Sequence, residues 1–507
     1  MQALHQQNIT AASELLRRRK CSSVELVQQL ISVIRKTDPQ IGAFLGLDEE
    51  GALAQARLAD ELRQKGREGS LLGVPLAVKD VINVKSQPCA CASKILSGYV
   101  APYDATAIAR LRAEGAVFLG RTNMDEFAMG ASTENSAYKI TKNPWNHDYV
   151  PGGSSGGSGA AVAADETIAA LGSDTGGSVR QPASFCGCVG LKPTYGRVSR
   201  YGLTAFASSL DQIGPMTKCV RDAAILLKAI AGHDAFDSTS ANQPVPDYES
   251  CLEKDLKGMK IGLPKEYFIE GMDAEVENAV QAAVRQCEKL GATVVEVSLP
   301  MTPHAVAVYY IIACAEASAN LARFDGVRYG FRAKDVADPY EMYCRTRAEG
   351  FGAEVKRRII LGTYVLSSGY HDAYYLRAQK VRTLILRDFE RVFANECDAL
   401  LAPVAPTAAY KIGEKIKAPL QMYLGDIFTI PASLAGVCAL SVPCGFTAAG
   451  LPVGLQILGP AFRDDLILRV GHAYEQSTDW HLRKPTLAEH QITSDKFQIS
   501  SDNQTHQ

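Results

Sequence analysis

Two segments rich in glycine and serine lie close together in the first half of the chain. Residues 150–164 read VPGGSSGGSGAAVAA, and residues 172–183 read GSDTGGSVRQPA. Loops of this composition present backbone N–H groups to an anion or expose a serine for attack on a carbonyl carbon. Neither segment contains a histidine. A nucleophilic serine in either one would therefore need a proton acceptor from elsewhere in the chain.

Several familiar motifs can be compared with these segments. Neither ends in the Gly-Lys-Ser/Thr of a phosphate-binding P-loop, and neither has the G-x-G-x-x-G spacing of a dinucleotide fingerprint. GSSGG, residues 153–157, formally matches a nucleophile elbow centred on Ser155, which requires an acid and then a histidine later in the chain. The histidines available in loop or helix contexts have no distinguishing neighbours: His233, His304, His371 and His472.

A lysine is the other side chain that could accept a serine proton. Lys79 ends the apolar stretch GVPLAVKD, and burial of a lysine lowers its pKa until the neutral amine is available as a base. The alternative is an ordinary surface lysine beside Asp80. The glycines could equally serve only as structural turns. The residue types alone leave these alternatives open.

Alternating strand and helix patterns surround both segments. GVPLAVKDVI, AVFLGRT, TIAALGSD and MKIGL have the pattern of buried strands, and amphipathic helices separate them. CALSVPCGF and LPVGLQIL flank TAAG and predict a hairpin. These patterns predict an α/β fold, with a mixed, mostly parallel central sheet covered by helices.

The chain divides into three predicted parts. Residues 1–65 are expected to form helices packed on the core, residues 66–488 one large α/β domain, and residues 489–507 a polar tail. Residues 232–250 resemble a linker, but the alternation of strands and helices continues across them, which favours a single domain.

Composition limits the class of protein. The chain has 507 residues, a net charge of −2 and 13 cysteines. A balanced charge does not predict binding of nucleic acid by bulk electrostatics, and we expect neither a signal peptide nor a membrane span. The odd number of cysteines, with CAC and CGC spacings unlike a zinc site, predicts reduced thiols, no metal and a cytoplasmic protein.

Together these segments resemble the amidase signature family. The resemblance rests on GVPLAVKD, PGGSSGGS and GSDTGGSVRQPA in this order, and it extends from about residue 5 to about residue 485. MDEFAMGASTENSAY and EGFGAEVKRRIILGTYVLSSGYHDAYY resemble one branch of the family most closely. That branch comprises the A subunits of the amidotransferases that act on Glu-tRNA(Gln) and Asp-tRNA(Asn).

The resemblance implies a role for each residue of a Ser-cisSer-Lys relay. Lys79 would be the base, Ser154 the bridging serine that follows a cis peptide bond, and Ser178 the nucleophile that carries the acyl group. Asp174 is expected to hold the loop through bonds to its backbone rather than to act in catalysis. The oxyanion would be held by the backbone N–H groups of four residues: Thr175, Gly176, Gly177 and Ser178.

The resemblance also implies a site for free glutamine. Arg358 and Asp426 match the positions that this branch uses for the substrate carboxylate and ammonium groups, and a guanidinium suits a carboxylate. The chain departs from the usual pattern at Val81, Ala131 and Ser433, which bears on fine substrate contacts rather than on the relay.

The expected activity is a glutaminase that releases ammonia for ATP-dependent transamidation of Glu-tRNA(Gln), Asp-tRNA(Asn) or both. The alternative is a stand-alone amidase of the same family that acts on another small amide. The resemblance implies a heterotrimer with B and C subunits and no cofactor in this chain. ATP and Mg would be used by the B subunit, which would also make the main tRNA contacts.

Overall fold

A single eleven-stranded sheet organises the computed structural model, which describes residues 3–416 and 418–486. The spatial order of the strands is β1-β3-β2-β4-β6-β5-β10-β11-β9-β7-β8. Strands from both sides of residues 232–250 join this sheet. The strands are β1 Phe44–Leu47, β2 Pro75–Lys79, β3 Val117–Thr122, β4 Ala169–Asp174, β5 Val189–Lys192, β6 Gln212–Thr217, β7 Lys260–Pro264, β8 Thr293–Val297, β9 Ala399–Pro403, β10 Cys438–Phe446 and β11 Pro452–Gly459.

The sheet is mixed, as predicted, but the expectation that it is mostly parallel is wrong. Four of the ten neighbouring pairs are parallel, namely β2–β3, β2–β4, β7–β8 and β7–β9, and the other six are antiparallel. The predicted hairpin is β10–β11, with Phe446 opposite Pro452. The sequence shows where strands occur but not which strands become neighbours, and the direction of each pair depends on that choice.

Helices pack against this sheet along its length. The predicted α/β class is confirmed. The helices are α1 Ile9–Arg17, α2 Ser23–Ile41, α3 Glu49–Gln64, α4 Thr106–Ala113, α5 Gly156–Ala163, α6 Arg180–Cys186, α7 Val220–Ile230, α8 Ala274–Lys289, α9 Ala305–Asn320, α10 Pro339–Gly350, α11 Ala353–Leu366, α12 Arg377–Asn395, α13 Pro419–Leu424, α14 Ile430–Ala435 and α15 Asp464–Gln476.

The N-terminal part is helical except for one edge strand. Ser22 and Glu25 form the capping box that begins α2, and Gly42, in the left-handed conformation, ends that helix. The four-residue β1 then pairs antiparallel with β3, so this part contributes a strand that the helical expectation for residues 1–65 did not include. A short strand between a glycine cap and the Asp48 cap of α3 leaves little periodic signal in the sequence.

Within residues 3–416 and 418–486, one helical stretch is long and apolar enough to cross a membrane by length and composition alone, a test that a buried core helix also passes. It covers Thr302–Arg323 and includes α9, and half of its most apolar window is buried inside the protein. α9 packs against α11, α12 and α14. A helix that is apolar on most sides is typical of the core of a large domain. The predicted C-terminal tail, residues 489–507, lies outside the described residues.

The topology brings the two glycine-rich segments to one edge of the sheet. β2 and β4 are parallel neighbours, with Val78 opposite Leu171. Lys79 is the last residue of β2, and the second segment begins where β4 ends. Carboxyl ends of neighbouring parallel strands meet at the same edge, where open α/β sheets commonly bind ligands.

Candidate active site

Lys79 is completely buried and is surrounded by hydroxyl and carbonyl oxygens. Its Nζ lies 2.7 Å from Ser154 Oγ, 2.8 Å from Ser155 Oγ and 2.9 Å from Ser173 Oγ, with the Ser173 carbonyl oxygen at 3.3 Å. Burial lowers the pKa of Lys79 to about 7, although nearby carboxylates oppose the shift. Lys79 therefore has access to its neutral, basic form near neutral pH.

The hydrogen bonds distinguish the Ser155 hydroxyl from that of Ser154. Ser155 Oγ donates to the Ser173 carbonyl oxygen at 3.1 Å and accepts from the Ser173 N–H at 3.3 Å. Its proton is therefore directed away from Lys79, which donates to it. Ser154 Oγ has Lys79 as its hydrogen-bond partner among the described residues. A neutral amine keeps one lone pair, and Ser154 is in position to donate a proton to it.

Ser154 also occupies a distinctive backbone position. The Gly153–Ser154 peptide bond is cis, as the resemblance implied. The next residue, Ser155, donates its backbone N–H to the Ser178 carbonyl oxygen at 3.1 Å. This bond joins the segment that carries Ser154 to the loop that carries Ser178.

The loop between β4 and α6 presents a row of backbone donors. Within residues 3–416 and 418–486, the N–H groups of Thr175, Gly176, Gly177 and Ser178 donate to no protein acceptor. Ser178 itself is 8% exposed. Unpaired amides in a buried loop are rare, and consecutive ones form the kind of nest that holds an oxyanion.

Two glycines are required by the shape of this loop. Gly177 has φ +149°, and a Cβ there would overlap the Thr429 hydroxyl. A Cβ at Gly176 would collide with the ring and hydroxyl of Tyr309. The Thr429 hydroxyl donates to the Gly176 carbonyl oxygen at 2.6 Å. The loop backbone thus lies directly against side chains from α9 and from the start of α14.

A fully buried ion pair between Arg180 and Asp174 stabilises the loop. Arg180 Nε lies 3.0 Å and Nη2 2.9 Å from the two carboxylate oxygens of Asp174. Asp174 also accepts from the Val179 N–H at 3.2 Å. Burial alone would raise the pKa of Asp174, but the Arg180 guanidinium and these hydrogen bonds outweigh it, and the pKa lies below its usual range. Asp174 thus bonds to the loop backbone, as predicted, and also to Arg180.

Arg358 lies on the buried face of α11 in an aromatic enclosure. Its Nε donates to Glu354 Oε1 at 2.8 Å, and the same oxygen accepts from the Tyr423 hydroxyl at 2.7 Å. The guanidinium lies 5.2 Å from the ring centre of Tyr310 and 5.6 Å from that of Phe206. These contacts fix the position of the guanidinium and involve only part of its donors.

Asp426 lies in the turn between α13 and α14. Its carbonyl oxygen accepts from the backbone N–H groups of Thr429 and Ile430. Burial raises the pKa of the Asp426 carboxyl to about 7, the Asp174 carboxylate adds to the shift, and Arg358 opposes it. The Thr429 hydroxyl donates to the Asp426 carbonyl oxygen at 3.1 Å and to the Gly176 carbonyl oxygen at 2.6 Å, so Asp426 lies beside the loop.

Several contributing residues were not identified from the sequence. Ser173 bonds Lys79, Arg180 holds Asp174, and Glu354 orients Arg358. The i,i+4 spacing of Glu354 and Arg358 on a helix was the one local signal available. The elbow interpretation of Ser155 finds no support here, because its described partners are Lys79 and the Ser173 backbone rather than a histidine.

The three departures from the usual family pattern lie in buried positions around the site. Ser433 Oγ accepts from Arg180 Nη2 at 2.9 Å and so contacts the Arg180–Asp174 ion pair. The Ala131 carbonyl oxygen accepts from the Gln181 amide at 3.0 Å. Val81 donates its backbone N–H to the Lys79 carbonyl oxygen at 2.8 Å. None of the three side chains bonds to Lys79 or Ser154.

Comparisons with known proteins agree with this geometry. Residues 25–468 match the model of the amidase family. Among curated proteins, the A subunit of the glutamyl-tRNA(Gln) amidotransferase from Methylacidiphilum infernorum is 59% identical over 96% of this chain and 97% of its own. Its counterpart from Roseiflexus sp. is 58% identical over 96% of this chain and 99% of its own.

A solved structure extends the similarity to three dimensions. The crystal structure of the A subunit of the glutamyl-tRNA(Gln) amidotransferase from Thermotoga maritima matches with a TM-score of 0.78 and 43% identity, over 94% of this chain and 96% of that one. The chain therefore belongs to the amidase family.

Proposed function

We propose that this chain is the glutaminase subunit of a tRNA-dependent amidotransferase. The observation that carries the proposal is the buried Lys79, with a pKa near 7 and a bond to Ser154, beside a loop whose amides are unpaired. That arrangement suits acyl transfer by a serine without histidine. The names of the relatives supply the reaction class, since each is the A subunit of a glutamyl-tRNA(Gln) amidotransferase.

The proposed reaction proceeds in two steps through an ester. Ser178 Oγ attacks the side-chain amide carbon of glutamine while its proton passes to Ser154 and the Ser154 proton passes to neutral Lys79. The N–H groups of residues 175–178 hold the oxyanion. Collapse of the tetrahedral species breaks the C–N bond, and the nitrogen takes the proton back through the relay and leaves as ammonia. Water then attacks the glutamyl ester by the same route and releases glutamate.

Arg358 and Asp426 supply the charges that free glutamine requires. We assign the substrate α-carboxylate to Arg358, whose guanidinium bonds to Glu354 through Nε, and the α-ammonium to Asp426. A stand-alone amidase of the same family that acts on another small amide is the alternative. It has less support, because the relatives that are 59% and 58% identical over nearly the whole chain are named as amidotransferase subunits.

The proposal places the chain in a cytoplasmic heterotrimer. All 13 cysteines are free thiols, which fits a reducing compartment. The chain has no P-loop motif and a net charge of −2, so we assign ATP, Mg and most tRNA contacts to a B subunit, with a C subunit completing the complex. An enclosed path would carry ammonia from the Ser178 site to the B subunit. Whether tRNA(Gln), tRNA(Asn) or both are served would depend on those partners.

The relay predicts a graded loss of glutaminase activity. Ser178→Ala should abolish activity and remove any glutamyl adduct detected by mass spectrometry. Lys79→Ala and Ser154→Ala should each lower kcat by at least about 10³-fold, because groups that act as one unit fail together. Ser155→Ala serves as the matched control and should lose far less. An inactive Ser155 variant alongside an active Ser154 variant would contradict the assignment.

The pKa of Lys79 predicts the pH dependence. Only the neutral amine accepts a proton, so kcat should rise as pH increases through about 7. Replacing any one of the 9 histidines should leave this profile in place in a folded enzyme. The measurement is kcat against pH at saturating glutamine. A profile that follows a histidine substitution would rule out lysine as the base.

The substrate assignment predicts a change in KM and in the slope of the pH profile. Arg358→Ala should raise KM for glutamine by about 10- to 100-fold, as expected for loss of a charged hydrogen bond. Asp426 must be ionised to hold an ammonium group, and its pKa also lies near 7. The acid limb of log kcat/KM should therefore approach a slope of two, and Asp426→Asn should reduce that slope to one. If both variants keep the wild-type KM and the wild-type slope of log kcat/KM against pH, neither residue binds glutamine.

The subunit assignment predicts coupling to partners. Co-expressed with B and C subunits, the chain should hydrolyse glutamine faster when ATP and mischarged tRNA are present. Ammonia is useful to the second reaction only if it arrives before protonation in water. The assay compares glutamate release by the isolated chain and by the complex. Full-rate hydrolysis by the chain alone, equally fast on unrelated amides, would favour the stand-alone amidase.

A further inference from the structure

Helix α11 has two faces with different chemistry. Its inner face carries Arg358 and packs so closely on α9 that a Cβ at Gly362 would overlap the Cys314 carbonyl oxygen. Its outer face carries large apolar side chains in solvent: Ile360 is 70% exposed and Leu361 41% exposed, and Tyr364 is similarly open. Packing on α9 therefore explains the inner face, whereas no contact among residues 3–416 and 418–486 accounts for the exposed apolar side chains of the outer one.

The outer apolar surface continues beyond the helix. Residues His371–Leu376 form one turn of π-helix, and none of them is buried. The Tyr370 ring lies 4.5 Å from that of Tyr364 and is stacked at 5.9 Å on that of Tyr374. We define the tyrosine face by six exposed residues: Ile360, Leu361, Tyr364, Tyr370, Tyr374 and Leu376. π-helical turns frequently occur at functional sites.

We propose that the tyrosine face is the docking surface for another, non-identical subunit of the amidotransferase. This inference rests on the proposed function. Single exposed apolar residues are ordinary, whereas a contiguous group marks a surface that another molecule covers. Aromatic residues anchor protein interfaces, and the three tyrosines already restrict one another through their ring contacts, which reduces the entropy lost on binding.

The charges around the tyrosine face indicate what kind of partner fits. Lys356 lies one turn before Ile360, and Arg377 and Lys380 follow Leu376. Arg357 is paired with Glu354, and Asp372 is the one exposed acid among residues 356–380. The balance remains basic. The partner should therefore present an apolar surface with Asp and Glu residues at its rim. A second copy of this chain fits poorly, because a twofold interface would oppose these basic residues to one another.

RNA fits the tyrosine face less well than a protein does. Basic residues with exposed tyrosines can bind single-stranded RNA through stacking. Ile360, Leu361 and Leu376 offer no ring for a base, and the tyrosine rings contact one another. Exposed aliphatic side chains beside clustered aromatic rings are instead what a protein partner buries.

The experiment measures binding of the chain to co-purified B and C subunits. Ile360→Glu and Tyr370→Ser should each weaken this binding by at least about tenfold, because a truncated or charged anchor loses the centre of the interface. The matched control is Leu58→Glu on α3, where Leu58 is 56% exposed, and it should change binding by less than about twofold. Far-ultraviolet circular dichroism and glutamine hydrolysis by each isolated variant establish that it is folded.

The outcomes separate this surface from the proposed function. Folded variants that bind the B–C pair as tightly as the wild-type chain would overturn the docking surface and leave the function standing. A wild-type chain that binds no B–C pair would overturn both. Loss of tRNA binding or of a homodimer in the variants, with B–C binding unchanged, would assign the tyrosine face to RNA or to a second copy and would also overturn the proposal.

Discussion

The burial of Lys79 without a bonded carboxylate is the constraint on which the rest of the site depends. An ammonium group removed from water loses several kcal/mol of solvation unless a countercharge replaces it. The oxygens bonded to Nζ belong to Ser154, Ser155 and Ser173 and carry no formal charge. The neutral amine is therefore accessible near pH 7, where the pKa of Lys79 lies. Because every residue of β2 and β4 is buried, the sheet itself excludes the water that would otherwise stabilise the charged form.

Arg180, a buried cation next to the site, explains why Lys79 can lose its proton despite a nearby carboxylate. Asp174 lies at the end of the neighbouring strand, and its charge raises the pKa of Lys79. Arg180 occupies both carboxylate oxygens of Asp174 through a two-pronged contact. The carboxylate is therefore satisfied by a guanidinium that is always protonated and does not need Lys79 as a partner. One ion pair thus fixes the shape of the loop and limits the attraction that would return a proton to the base.

The sequence allowed a better prediction of the site residues than of the order and direction of the strands. Lys79 and Ser154 were assigned through the family resemblance, and the structure brings them within hydrogen-bonding distance. The mostly parallel sheet was wrong because strand patterns do not reveal which strands become neighbours. Ser173 and Arg180 were missed for a related reason: Ser173 reaches Lys79 only through the pairing of β2 with β4, and Arg180 is typical of an exposed residue until its partner is known. The four-residue β1 is too short for a periodic signal.

The two faces of α11 connect the site to the surface. On the inner face, Arg358 is held by Glu354 and by the Tyr310 and Tyr423 rings, so its position depends on how α11 lies against α9 and α13. The outer face of the same helix carries Ile360 and Leu361, one turn or less from Arg358 in the chain. The close contact at Gly362 leaves no space between α11 and α9, so a displacement of α11 would displace Arg358 with it. A partner on the proposed docking surface would therefore contact the same helix that positions the Arg358 guanidinium, and any preference of that partner for one position of α11 would be coupled to the proposed glutamine site.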